Sequence, residues 1–295
     1  MYLFVIILVL GVLASVAFVT LLERKVMGYS HLRKGPNKVG FMGFLQPFAD
    51  AGKLFMNMLL LGYKFVLVPY IMSVFVMVLV MLGSWVIFMW MSLGFYYSGF
   101  FFFCLVGLGV YPIIFSGWSS ISKYSLLGSL RAVGQAISYE VCFILFFISM
   151  MMFCMGVSFE KLMFSQVYVS HMVGFWPFLL IFFILMLAEL GRTPFDFVEG
   201  ESELVSGFNV EYGSGLFAVI FVCEYGMILI MSGILTILFV GFSKLFYFFL
   251  TMLSMIFIFI RVEVPRLRYD KLMSLAWEVY LPLSLLIVML IFLIS

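Results

Sequence analysis

From Phe65 to Ser122 the chain carries no formal charge. No water-facing surface can be built from such a stretch, whereas a helix crossing a bilayer needs about 20 apolar residues. The run is long enough for two crossings, and Leu93-Gly94-Phe95-Tyr96-Tyr97-Ser98-Gly99 supplies a turn between them. A second uncharged run, Met1 to Leu22, opens the chain. It has no basic leader and no small-residue cleavage signature, so it reads as a retained span rather than a signal peptide. Hydrophobic residues make up 66% of the chain and charged residues 10%; soluble domains are roughly 45–50% apolar. Membrane strands would alternate apolar with polar positions, and these runs do not. The sequence therefore predicts an all-α integral membrane protein, with residues 1–295 forming a single polytopic domain. About eight transmembrane helices are expected, near 2–22, 65–92, 100–118, 132–156, 175–190, 214–240, 245–262 and 277–295, with an interfacial amphipathic helix after the first.

Charge is partitioned as unevenly as hydropathy. Four connections, 23–64, 119–131, 191–213 and 261–276, hold all but Lys161 and Lys244 of the 16 basic residues. Such an excess of lysine and arginine orients those connections to the cytoplasm or the mitochondrial matrix, with the N-terminus on the opposite side. One connection on that basic face is acidic: in "RTPFDFVEGESELVSGFNVEYGSG", residues 192–215, Asp196, Glu199, Glu201, Glu203 and Glu211 stand against Arg192 alone. Interleaved apolar residues such as Phe195, Phe197, Leu204 and Phe208 exceed what a solvated loop carries, so the loop is expected to fold down onto the spans. A solvated acidic patch is the plainer reading of the same residues.

Three further acids, Glu140, Glu189 and Glu224, lie within spans or at their ends. An ionised carboxylate at mid-bilayer costs roughly 2.5–3.5 kcal/mol on insertion scales. These side chains are therefore expected to face the protein interior or water and to serve a function; a protonated acid bonded to a neighbouring helix is the structural alternative. In the first connection, a helix starting near Phe48 would set Phe48, Gly52, Phe55 and Leu59 against Asp50, Lys53 and Asn57, the pattern of a helix lying at the interface. Cys104, Cys142, Cys154 and Cys223 stand singly and read as buried small apolar residues. With His31 and His171 as the only histidines, no metal or iron–sulfur site is expected. No G-x-G-x-x-G dinucleotide loop occurs.

Four blocks, "ERKVMGYSHLRKGPNKVGFMGFLQPFADAGKLF", "LRAVGQAISYEV", "AELGRTPFDFVEGESELVSGFNVEY" and "PRLRYDKLM", resemble subunit 1 of proton-pumping NADH:ubiquinone oxidoreductase, respiratory complex I, in the family's order. The resemblance implies a core membrane subunit whose basic-face connections build part of a quinone chamber. It implies that Arg24, Asp50, Arg131, Arg192, Arg266 and Arg268 are polar positions around the quinone channel. It likewise implies that Glu140, Glu189, Asp196, Glu199, Glu201, Glu203 and Glu224 couple quinone reduction to proton translocation. A quinone, ubiquinone or a relative, would be the substrate; flavin and iron–sulfur clusters would belong to partner subunits, none being bound by this chain. The implied partners are the hydrophilic quinone-module subunits, neighbouring small membrane subunits and membrane lipid, with no nucleic acid. The implied location is the mitochondrial inner membrane, with the N-terminus on the intermembrane-space side, and 38 Phe and 23 Met fit a thymine-rich mitochondrial gene. One departure, "RVEVPR", adds Glu263 beside the arginines and leaves the orientation of Arg261 open.

Two other classes compete. A secondary transporter would interrupt its helices near mid-membrane with Gly or Pro, and here all 8 prolines are expected in connections or near span ends. A membrane anchor for a soluble redox protein needs apolar spans and a docking surface, but gives no reason for Glu140 and Glu224 within the bilayer.

Overall fold

The computed structural model describes residues 2–58, 65–90, 94–196, 207–241 and 245–294. Glu199, Glu201 and Glu203 lie outside the described residues. Every regular element among those described is helical: α1 (Tyr2–Ser30), a short turn of helix at Phe41–Gly43, α2 (Gln46–Met56), α3 (Leu67–Trp90), α4 (Ser98–Leu108), α5 (Val110–Ser119), α6 (Lys123–Phe153), α7 (Phe159–Phe164), α8 (His171–Gly174), α9 (Trp176–Glu189), a turn at Gly207–Asn209, α10 (Ser214–Phe239), α11 (Phe246–Glu263), α12 (Tyr269–Ser274), a π-helical turn at Leu275–Tyr280, and α13 (Leu281–Ile294).

Seven helical stretches are long and apolar enough to cross a membrane: α1, α3, α4 with α5, α6, α10, α11, and α12 through α13. The eighth apolar segment, α9, has 14 residues. At about 1.5 Å per residue it rises ~21 Å, short of a hydrocarbon core of about 30 Å. The fold is thus all-α and membrane-embedded as expected, with seven long spans and one short apolar helix among the described residues. α6 begins at Lys123, well before the expected 132. Charge ends a membrane crossing without ending a helix, and Ser122 caps this one by accepting from the Ser125 amide.

Two spans are broken inside, contrary to the expectation that prolines sit at span ends. The third divides at Gly109. Pro112 lacks the N–H that would bond the Leu108 carbonyl, and its ring crowds that carbonyl, so α4 stops where α5 starts. The last span widens into the π turn just ahead of Pro282. Neighbouring side chains of α6 serve this wider turn: Tyr139 Oη donates to the Leu272 carbonyl at 2.8 Å and Cys142 Sγ lies 3.7 Å from the Ala276 carbonyl. Irregular backbone at membrane depth survives where protein side chains cover it.

α10 runs through the centre, packed by α1, α2, α3, α9 and α11, while α6 gathers α5, α9 and α13. Phenylalanine fills the space between: Phe102, Phe143, Phe147, Phe159, Phe182 and Phe239 are buried, and the Phe143 and Phe182 rings stack at 5.0 Å. Lipid tails are as apolar as these rings, so close packing rather than transfer from water holds the helices together. Cys142 and Cys223 are buried as expected; Cys154 is half-buried and Cys104 exposed on an apolar surface where a small side chain costs nothing.

At the end of α10 opposite the acidic connection, Gln166 Nε2 donates to the carbonyls of Ile237 and Leu238 at 2.9 and 3.0 Å, and His171 Nδ1 lies 3.1 Å from the Leu238 carbonyl. These bonds satisfy orphan carbonyls of the helix end. Burial holds the His171 imidazole below its usual pKa, and its bond to the Leu238 carbonyl pulls weakly the other way.

Candidate functional site

The short helix α9 delivers two charged residues by the way it stops. Leu190 caps it, Gly191 takes φ +59, the Gly191 amide donates to Ala188 and the Arg192 amide reaches back to Leu187. This is the paired-bond turn that favours glycine just past a helix end. It sets Glu189 on the last turn and swings Arg192 back toward α10. There the guanidinium stands 3.8 Å from Glu224 and over the Tyr225 ring at 4.7 Å.

Tyr225 carries the network further. Its hydroxyl donates to Glu23 Oε2, and the other oxygen of Glu23 accepts from Arg261 at 2.5 Å. Glu23 is 3% exposed, so its charge rests on these two donors. A chain of groups therefore runs from Arg261 on α11 through Glu23 on α1 and Tyr225 on α10 to Arg192 and Glu224. None of Glu23, Tyr225 and Arg261 was singled out among the expected site residues. A signal for Glu23 existed: it falls in register with buried Val12 and Val16 on α1, at the end of an inward stripe. Arg261 takes Glu23 as its partner, and Glu263 is exposed.

Beside this network lies a cavity of about 190 Å³. α3, α4, α5, α6, α9 and α10 line it; most of its wall is apolar, and its polar lining comes from Gln135, Glu189, Arg192 and Glu224. The division at Gly109 and Pro112 borders it. Glu140 stands half-buried on α6 facing Gly107, where an added Cβ would come 3.0 Å from its Oε1. Asp196 is buried with Arg266 Nη2 3.4 Å away, and the Leu267 amide donates to the Pro194 carbonyl. These two contacts tie the start of the acidic connection to the connection before α12.

The remaining expected residues are dispersed. Arg24 pairs with Asp50 at 2.5 Å, and Gln46 also donates to Asp50, so this group fastens α2 to α1. Arg268 pairs with Asp270 on the surface, both more than two-thirds exposed, where such a bridge contributes at most about 1 kcal/mol. Arg131 sits half-buried in α6, one turn before Gln135. The helix α2 lies against α1 and α10 with Phe48 and Phe55 largely exposed, as an interfacial helix would present them.

An NADH dehydrogenase family model matches residues 3–292. The chain belongs to that family. It is 49% identical over 292 residues to the NADH-ubiquinone oxidoreductase chain 1 of Aedes aegypti, covering 94% of this chain and 90% of the relative. The protein of the same name from Locusta migratoria is 48% identical with the same coverage, and that of Ornithorhynchus anatinus 43% identical over 95% of this chain and 92% of its own. Family membership and the cavity's buried charge argue together against an inert anchor. The broken third span is a feature a transporter would share, but the match runs along nearly the whole chain.

Proposed function

We propose that this chain is the quinone-chamber membrane subunit of proton-pumping NADH:ubiquinone oxidoreductase, in the mitochondrial inner membrane, with its N-terminus toward the intermembrane space. The observation that carries the reading is the partly buried chain Arg261, Glu23, Tyr225, Arg192 and Glu224 beside a cavity lined by Glu189. Ionisable groups this far inside an apolar protein are costly and call for a function. Reducing a quinone to a quinol takes up two protons, and clustered carboxylates can supply or redistribute them. On this reading Arg24, Asp50, Arg131, Arg192, Arg266 and Arg268 line the quinone path. Glu140, Glu189, Asp196, Glu199, Glu201, Glu203 and Glu224 carry the coupling. Electrons arrive from flavin and iron–sulfur clusters held by the hydrophilic partner subunits, and neighbouring membrane subunits and lipid cover the exposed apolar helices.

The test uses the assembled complex. Glu199→Gln with Glu201→Gln, and separately Glu224→Gln, keep shape while removing charge. Quinone reductase rate and proton-to-electron ratio should fall, while NADH oxidation by ferricyanide is spared. Normal assembly with both quantities unchanged would mean the acids form a solvated patch.

A further inference from the structure

The cavity beside Glu189 contains a residue to which no role has yet been given. Gln135, on α6, is 2% exposed. Its Nε2 donates to the Ala188 carbonyl at 3.2 Å and the Phe195 carbonyl at 3.0 Å, one before and one after the turn that carries Glu189 and Arg192. Two carbonyl acceptors determine which end of the amide is which, because a carboxamide oxygen cannot donate to them. The oxygen therefore points away from that turn, and Oε1 has no hydrogen-bond partner among the described residues although Gln135 lines the cavity. Glu189 Oε2 is in the same position: buried, lining the cavity, and without a partner among the described residues.

Two orphaned acceptors on the wall of one otherwise apolar cavity are an unfavourable arrangement if dry. A buried polar atom left without a partner keeps its full desolvation cost. A water needs two to four polar partners and about 30 Å³ of liquid volume, and the cavity offers roughly 190 Å³. We propose that Gln135 is a positioning residue whose Oε1, with Glu189 Oε2, holds a bound-water cluster in this cavity, so that Glu189 is hydrated inside an otherwise apolar bundle. The same amide clamps the turn on which Glu189 and Arg192 ride, so hydration and placement of the carboxylate depend on one side chain. The inference rests on the coupling role assigned to the carboxylates above.

The assembled complex tests it in two independent ways. A high-resolution experimental structure should contain ordered water within hydrogen-bond distance of both Gln135 Oε1 and Glu189 Oε2; apolar contacts or empty space at both atoms would overturn the proposal. In parallel, Gln135→Leu, which removes both amide donations and the water acceptor, should lower the kcat of quinone reduction about tenfold or more, with KM for quinone unchanged. Gln135→Glu, which keeps the acceptor and when protonated one donor, should recover most of that loss. Equal impairment by Leu and Glu would reduce Gln135 to a packing clamp and overturn the water site. Failure of the underlying reading appears separately, as normal coupling in Glu224→Gln.

Discussion

Glu23 closes the first apolar run and Glu140 lies inside the fourth expected span, each an acid next to apolar sequence, yet their surroundings differ. Glu23 is enclosed by Tyr225 and Arg261, while Glu140 faces a glycine. Tyr225→Phe separates two functions of one side chain: it deletes the hydroxyl that donates to Glu23 and keeps the ring beneath Arg192. A buried hydrogen bond to a charged group contributes about 1.5–3 kcal/mol. The expected result is an assembled complex with a lower melting temperature and a several-fold slower quinone reductase; wild-type values of both would remove Tyr225 from the network. Glu189 and Glu224 were legible as charges in apolar surroundings, and Arg192 and Asp196 as the start of the acidic connection. Gln135 was not, since a neutral amide in "RAVGQAIS" looks like any other polar residue of a long helix. Its importance comes from two carbonyls 53 and 60 positions away.

Among elements, the ones that stop or break matter most. α9 ends at Glu189, turned by Gly191 just beyond it, the third span divides ahead of Pro112, and the last span widens ahead of Pro282. Gly191 and the prolines could be read for what they do locally, but a proline near one end of an expected span proved to lie within a longer helical stretch. Span ends drawn from hydropathy follow the apolar core, whereas helices continue into the charged interface, as α6 does back to Lys123. The clasp on the end of α10 makes a separate prediction. Gln166→Leu strips donors from Ile237 and Leu238 and should destabilise the assembled complex by about 1–3 kcal/mol, read as a lower melting temperature, without altering the ratio of quinone to ferricyanide activity. The adjacent His171 adds a pH dependence of known sign. Its folded pKa lies below the ordinary value of 6.5. The unfolded chain therefore takes up a proton first as pH falls, and stability present above about pH 6.5 declines below it. His171→Gln should flatten that decline in thermal melts between neutral and acid pH; an unchanged slope would mean the imidazole is not the titrating group.

Taken whole, the molecule is an apolar bundle with charge concentrated toward one end. The chain has no group of three or more His, Cys, Asp or Glu residues able to hold a metal among the described residues. Purified alone, it should carry neither flavin nor iron, and it should copurify with both only as part of a large assembly. Stoichiometric flavin or iron on the single chain would contradict the proposed division of labour. The sequence by itself determined that the chain is helical and membrane-embedded, and which of its segments are apolar and which carry the charge. Those properties follow from hydropathy and charge read along the chain, one segment at a time. Only the tertiary structure decided which carboxylates meet which cations. A soluble helix announces its inward side by an apolar stripe; here lipid and protein core are both apolar, so most spans are apolar all round and the rotation of each about its axis is unwritten in hydropathy. Packing sets that rotation. It brings Glu23 to Tyr225 across 202 positions and Arg261 to Glu23 across 238, and no local pattern in the sequence encodes either meeting.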